Sequence, residues 1–221
     1  MKGGVNEFVK IAMMAQKSPV MALEFSQSLF DNFYRCKSFA VTAFYTSNQD
    51  KRLKILAQSL EDGLKVKHRL DRGMAIVWPL RQLAEMRQDH LVQKELKILL
   101  DDVKPYAGTT EYLDLMNLLV GALAVGCKEN FAILFQTLKI ECEACHHNKK
   151  DILLSQIIPV IHKIDERMSR DLLFLMEGET PRKKAEKRII KEANLTIKDY
   201  YLDLQFKDFL KNHTFKKSKF S

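Results

Sequence analysis

The fold class is decided by the stretch Thr109-Thr110-Glu111-Tyr112-Leu113-Asp114-Leu115-Met116-Asn117-Leu118-Leu119-Val120. It opens with hydroxyl residues that can cap a helix, followed by an acid in the first turn. Apolar side chains then fall on nearly every side of a 3.6-residue turn, which predicts a helix in the middle of a fold. The apolar run over residues 113–127 is too short and too polar for a bilayer span, which needs about 20 apolar residues.

The rest of the chain also lacks the frequent turn-forming residues of a β protein. Its 221 residues include only 8 Gly and 5 Pro, so the gaps between turn-forming residues are long. An all-β fold would need turn signals about every 8–12 residues. The sequence therefore predicts an all-α fold: about eight helices in an irregular bundle, with a basic helical arm at the C-terminus.

Hydrophobic periodicity and capping residues place the predicted helices along the chain. We expect Trp78-Pro79 to disturb one of them and Pro159 to bend another. The predicted helices cover residues 5–16, 20–45, 51 to a break near 71–73, 80–103, 109 onward, 128–147, 152–176 and 182–211.

A domain boundary is expected at Gly178-Glu179-Thr180-Pro181, because glycine is typical of the end of a helix and Thr-Pro of the start of the next one. It divides a helical core, residues 1–177, from a basic amphipathic helix and tail, residues 178–221. The charge changes there too. Residues 182–221 contain twelve Lys/Arg and five Asp/Glu, a net charge of +7 (12 − 5), whereas the whole chain carries +8.

The N-terminus has no uninterrupted apolar segment of the kind that a secretory signal needs, since Glu7 and Lys10 fall where it would lie. We therefore expect a cytoplasmic location and no transmembrane segment. In a reducing compartment the four cysteines are expected to be thiols.

Four potential metal ligands lie close together near residue 145: Cys142, Cys145, His146 and His147. On a helix the first three share one face at i, i+3 and i+4 spacing. Cys-x-x-Cys is half of a zinc or iron–sulfur site, and Cys-x-x-Cys-His is the attachment pattern of c-type haem. Zinc is the first candidate cofactor and haem the second. The alternative without a cofactor is that these residues are unligated thiols and solvated histidines at the end of a helix.

Six cations fall within ten residues of the C-terminal region: Arg182, Lys183, Lys184, Lys187, Arg188 and Lys191. Such density suits an acidic protein partner, the phosphates of a nucleic acid or an anionic membrane surface. A solvated outer helix would show the same pattern. These alternatives stay open from the sequence.

The chain contains no Gly-x-x-x-x-Gly-Lys-Ser/Thr, Gly-x-Gly-x-x-Gly or Gly-x-Ser-x-Gly, so an enzyme is not the favoured interpretation. The leading hypothesis is a non-enzymatic intracellular interaction protein that binds a protein partner through helical faces and the basic arm. The alternatives are metal or haem binding through Cys142, Cys145 and His146, and nonspecific nucleic-acid binding. A homo-oligomer is compatible with each of these hypotheses.

Overall fold

The computed structural model describes the backbone of residues 3–144 and 148–194. These residues form eleven α-helices and one short 3₁₀-helix, and no strand occurs among them, so the all-α prediction is confirmed. They form two compact units, residues 3–86 and 87–194. None of the described helices is both long and apolar enough to cross a membrane.

The first unit is built around its third helix, which packs against all four of the others. Its buried apolar core includes Phe8 and Ile11 of the first helix, with Trp78 half-buried at its edge. The five helices are α1 (Gly3–Ala15), α2 (Pro19–Ser28), α3 (Asn32–Tyr45), α4 (Gln49–Leu64) and α5 (Arg69–Glu85).

A buried ion pair ties α3 to α4 in this unit. Arg35 donates two hydrogen bonds of 2.9 Å to the carboxylate of Asp62, whose side chain is only 3% exposed. The same guanidinium also donates to the Leu29 carbonyl at 3.1 Å, at the end of α2. Breaking such a buried pair from one side is strongly destabilising, so this contact fixes how three helices meet.

The second unit is organised around the ninth α-helix of the chain, which packs against the seventh, tenth and eleventh. Its helices are α6 (Asp89–Val103), the 3₁₀-helix (Lys104–Tyr106), α7 (Thr110–Leu123), α8 (Lys128–Ala144), α9 (Asn148–Ile164), α10 (Glu166–Phe174) and α11 (Glu179–Lys191). The helix predicted from residue 109 is α7, and the Thr109 hydroxyl accepts the Tyr112 N–H at 3.2 Å as its cap.

Two predicted helices are each two helices in the structure, because an aspartate inside them caps a new helix. The helix expected over 20–45 ends at Ser28, and Asp31 accepts the Phe33 N–H at 2.8 Å to begin α3. The helix expected over 152–176 ends at Ile164, where Asp165 accepts the N–H of Arg167 to begin α10. An N-cap stabilises the start of a new helix by about 1 kcal/mol. It does so without interrupting the apolar periodicity from which the single long helix was predicted.

The helix breaks predicted near residues 71–73 and at Pro79 are also wrong in position. α5 continues through both Gly73 and Pro79, and the chain turns instead at residues 65–68 and 86–88. Pro79 is buried among apolar neighbours, so packing outweighs the loss of one helical hydrogen bond. The helix expected over 80–103 is divided by the second turn, where Arg87 has a φ of 57°. These extra turns make the predicted number of about eight helices too low.

The last described helix is shorter than expected. α11 begins at Glu179, at the predicted restart, and ends at Lys191 with a turn over residues 192–194. The rest of the predicted helix over 182–211 lies outside the described residues. The division of the chain at residue 178 stays a prediction.

Candidate functional site

The start of α11 is fixed to the second unit by a buried carboxylate. Asp151 of α9 accepts the N–H of Gly178 at 2.7 Å and that of Glu177 at 3.3 Å. Beside it, the Lys150 ammonium lies 2.5 Å from the Glu177 carboxylate. Gly178 allows this close approach, since a Cβ there would lie 2.9 Å from the Asp151 carboxylate. The basic helix is therefore held at a defined place on its unit.

Both arginines of the predicted partner-binding set point back into the second unit. Arg182 donates to the Met176 carbonyl. Arg188 donates to the Ser155 carbonyl of α9 at 3.0 Å and pairs with Glu192 at 2.8 Å. Between them, Ala185 is fully buried. These two cations and the alanine thus form the inward side of α11.

The lysines lie on the other side of the same helix. At about 100° per residue, Lys184, Lys187 and Lys191 fall within about 60° of one another and lie about 100–160° around the helix from Ala185. All three are exposed, and none forms an ion pair within the described part of the chain. We call these three residues the lysine face. They border an open groove of about 450 Å³. The groove is lined by Thr180, Lys183, Lys184, Lys187, Arg188 and Lys191.

Two further exposed residues, Lys183 and Ile190, lie next to the lysine face, and only the first is charged. Lys183 is exposed but already paired with Glu179 at 2.5 Å, one turn earlier. Ile190 is 78% exposed and lies on the helix side next to Lys187. α11 as a whole contains six Lys/Arg and two Glu, a net charge of +4 (6 − 2). The outer surface of α11 therefore combines unpaired cations with one apolar side chain.

The predicted metal cluster falls mostly outside the described residues. Cys142 is buried near the end of α8, but Cys145, His146 and His147 are not described. Within residues 3–144 and 148–194, no three potential ligands (His, Cys, Asp or Glu) are grouped so that they could hold a metal ion. Metal or haem binding at this cluster stays a prediction.

Sequence reasoning missed a second cationic site, in the first unit. The Lys37 ammonium lies 4.6 Å from the ring centroid of Trp78, 4.9 Å from that of Phe33 and 5.6 Å from that of Phe8. We call these three rings the aromatic cage. Each distance is within the range of a cation–π contact, about 6 Å. The aromatic content of residues 30–45 was a signal, but the other two rings come from α1 and α5.

The Lys37 ammonium has no carboxylate partner among the described residues. Burial lowers its pKa to about 8, from an ordinary value of 10.5. The neighbouring Cys36 thiol is fully buried, and that burial raises its pKa to about 12, so it is neutral at physiological pH. Among the described residues, ring faces and not a carboxylate therefore compensate the charge of Lys37.

A pocket of about 540 Å³ lies beside the aromatic cage and shares Phe33 with it. Its wall combines two aromatic residues with several charged ones. The lining residues are Asp31, Asn32, Phe33, Tyr34, Lys65, Val66, Lys67, His68 and Asp71. Concave sites with an aromatic wall and a few polar groups are typical of small-molecule binding.

Comparison with known proteins adds no family to this description. The chain matches no protein-family model, no curated protein and no solved structure.

Proposed function

We propose that this chain is a helical interaction protein that binds an acidic polypeptide through the lysine face of α11. One observation carries the proposal: Lys184, Lys187 and Lys191 are exposed, form no ion pair with any described residue, and lie on a side of the helix turned away from the buried Ala185. Over seven residues they span about 10 Å. Glutamates at i, i+3 and i+7 of a partner helix have the same spacing.

The residue types favour a polypeptide over a nucleic acid. Arginine is the residue best suited to phosphate, because its planar fork binds two oxygens at once. Both arginines of α11 are committed to the Met176, Ser155 and Glu192 oxygens of the chain itself. Single-strand binding also relies on aromatic rings that stack on bases, and no aromatic residue occurs in α11. The exposed Ile190 instead offers an apolar contact of the kind found in protein interfaces.

The expected complex is modest in affinity and sensitive to salt. An exposed ion pair contributes about 0.2–1 kcal/mol, so three pairs supply at most about 3 kcal/mol. Screening over roughly 10 Å at 0.1 M salt weakens such pairs further. Because no catalytic group is assigned to this surface, binding itself is the proposed activity.

The test uses fluorescence anisotropy with two labelled probes of similar charge, a 20-residue polyglutamate and a 20-nucleotide oligothymidylate. The full chain should bind polyglutamate more tightly than the oligonucleotide at 50 mM salt. Replacing the lysine face, Lys184→Glu/Lys187→Glu/Lys191→Glu, should weaken polyglutamate binding about tenfold or more.

The matched control reverses three exposed lysines elsewhere, Lys51→Glu/Lys54→Glu/Lys97→Glu, and changes the net charge equally. Binding by the control should remain within about twofold of the wild type. Equal losses in both variants would mean that net charge, and not the lysine face, attracts the peptide. Tighter binding of the oligonucleotide would favour the nucleic-acid alternative.

A further inference from the structure

The pocket of about 540 Å³ in the first unit lies between the start of α3 and the turn that joins α4 to α5. Hydrogen bonds fix this turn from two sides. The Asn32 side chain donates to the Lys65 carbonyl at 3.3 Å, and Arg72 donates two hydrogen bonds to the Val66 carbonyl, at 3.0 and 2.9 Å. Contacts within the chain therefore hold the wall of the pocket in place, as in small-molecule sites, which are usually largely pre-formed.

The charged side chains that line this pocket are balanced in sign. Two lysines and two aspartates line it, a net charge of zero (2 − 2) with its histidine counted as neutral. One member of each sign already has a close partner: Lys65 lies 3.2 Å from Asp62, and Asp71 lies 3.5 Å from the His68 ring. A ligand with a large net charge would meet a lining side chain of its own sign, so the balance favours a ligand that is neutral overall.

The other two lining charges are Asp31 and Lys67, which are both exposed. Neither forms an ion pair with any described residue, and they do not pair with each other. Asp31 accepts the Phe33 N–H at 2.8 Å through one carboxylate oxygen, and this hydrogen bond leaves its negative charge uncompensated by a cation. The pocket therefore offers one anionic and one cationic contact to the same ligand.

The rest of the pocket that bears on the ligand is apolar. Val66 is buried, and Phe33 and Tyr34 are half-buried, with their ring centroids 5.2 Å apart in an edge-to-face arrangement. Aromatic side chains contact a further ring favourably in offset-stacked or edge-to-face geometry. A flat apolar group on the ligand would therefore add to the two charged contacts.

We propose that this pocket binds a free α-amino acid with an aromatic side chain. The ligand ammonium pairs with Asp31 and its carboxylate with Lys67, while its ring contacts the aromatic wall. An α-amino acid carries both charges at neutral pH and is neutral overall, which matches the lining. A phosphate ester would instead place its negative charge beside two aspartates. This site lies in the first unit and is independent of the binding proposed for α11.

The test is a chemical-shift titration of the ¹⁵N-labelled full chain with four probes that share a benzene ring. L-phenylalanine carries both charges, 3-phenylpropionate only the carboxylate, phenethylamine only the ammonium, and phenyl phosphate a phosphate. Amide signals of residues 31–34 and 65–68 should shift with one saturable curve on addition of L-phenylalanine. Each of the other three probes should bind roughly twofold to fivefold more weakly, as expected when one exposed ion pair is lost.

Two variants assign the charges of the ligand to their partners. Asp31→Asn removes the charge and keeps a residue that caps a helix equally well, so α3 should begin at the same place. It should weaken L-phenylalanine roughly twofold to fivefold without weakening 3-phenylpropionate. Lys67→Gln should weaken both of these probes and not phenethylamine. The matched control is Lys54→Gln, an exposed lysine of α4 outside the pocket, which should bind every probe as the wild type does.

Three results would overturn the proposal. The first is the absence of a saturable shift at residues 31–34 and 65–68 with both L-phenylalanine and L-tryptophan, which has the larger ring. The second is binding of 3-phenylpropionate or phenethylamine as tight as that of L-phenylalanine, since the ligand would then not need both charges. The third is tighter binding of phenyl phosphate, which would make the pocket an anion site.

Discussion

Lys37 and Lys187 have the same side chain in opposite surroundings. The half-buried Lys37 lies against three rings in the first unit, whereas Lys187 projects from α11 with no ion pair among the described residues. We expect the exposed lysine to matter only through its charge, which another cation could supply. The pKa of Lys37 depends instead on its position, because burial lowers it. The surroundings of a lysine therefore determine its pKa and its availability for binding, and the local density of positive charge does not.

The largest expected difference between the two sites comes from reversing the charge. Lys37→Glu puts a carboxylate against three electron-rich ring faces, and should lower the free energy of unfolding by about 3–5 kcal/mol. Lys187→Glu should change it by no more than about 0.5 kcal/mol, as for an ordinary surface substitution. Urea denaturation followed by circular dichroism measures both.

A neutral replacement sharpens this comparison. Lys37→Met keeps the length and apolar stem of the side chain and removes the buried charge, so stability should change by less than about 1.5 kcal/mol. If Lys37→Glu were as well tolerated as Lys37→Met, the ammonium would have to lie in water and the aromatic cage would not enclose it.

The second prediction concerns the attachment of α11. Asp151→Ala removes the acceptor of the Gly178 and Glu177 N–H groups, and a lost buried acceptor of this kind costs about 1–3 kcal/mol. Amide hydrogen exchange over residues 179–191 should accelerate, while exchange in α3 stays unchanged. Unchanged protection of α11 would show that Arg182 and Arg188 hold the helix without the aspartate.

The third prediction is a pH dependence that belongs to Lys37 alone. Folded Lys37 loses its proton near pH 8 and an unfolded lysine near 10.5, so the folded state binds fewer protons in this window. Its destabilising effect is complete below about pH 8 and is relieved as the pH rises toward 10.5. The stability of the wild type relative to Lys37→Met should therefore rise by about 1 kcal/mol between pH 8 and 9. Urea midpoints at the two pH values measure this, and a flat difference would contradict the lowered pKa.

Local signals were enough to predict the all-α class and the start of α7, because the Thr109 cap and the apolar run that follows are contiguous in sequence. They were not enough for the helix breaks. Asp31 and Asp165 interrupt two helices by capping new ones, and an isolated aspartate leaves the apolar periodicity intact on both sides. Pro79 gave the opposite error, because the sequence predicted a break there and α5 continues through it. The packing that buries Pro79 is a tertiary effect.

The same limit applies to the two sites. The cluster of cations in α11 is local, so the sequence predicted it. Which of them remain outside depends on the distant carbonyls of Met176 and Ser155, which take up Arg182 and Arg188. The aromatic cage needs α1, α3 and α5 to meet around one lysine. No pattern within a single helix can reveal such a site.

The smallest expected effect is that of a single lysine of α11. Lys187→Gln should weaken polyglutamate binding by less than about sixfold, equivalent to at most about 1 kcal/mol for one exposed pair. The loss should shrink as salt is raised from 50 to 300 mM. Anisotropy titrations at the two salt concentrations provide the measurement. A loss that is large and independent of salt would point to a buried contact at Lys187, contrary to its exposure.

Binding by the lysine face can be observed directly by nuclear magnetic resonance of the full chain labelled with ¹³C-lysine and titrated with the 20-residue polyglutamate. We expect the side-chain signals of Lys184, Lys187 and Lys191 to shift together with one binding curve, while those of Lys37 and the exposed Lys51 stay in place. Comparable shifts at Lys51, or none in α11, would contradict the claim that the lysine face binds an acidic partner.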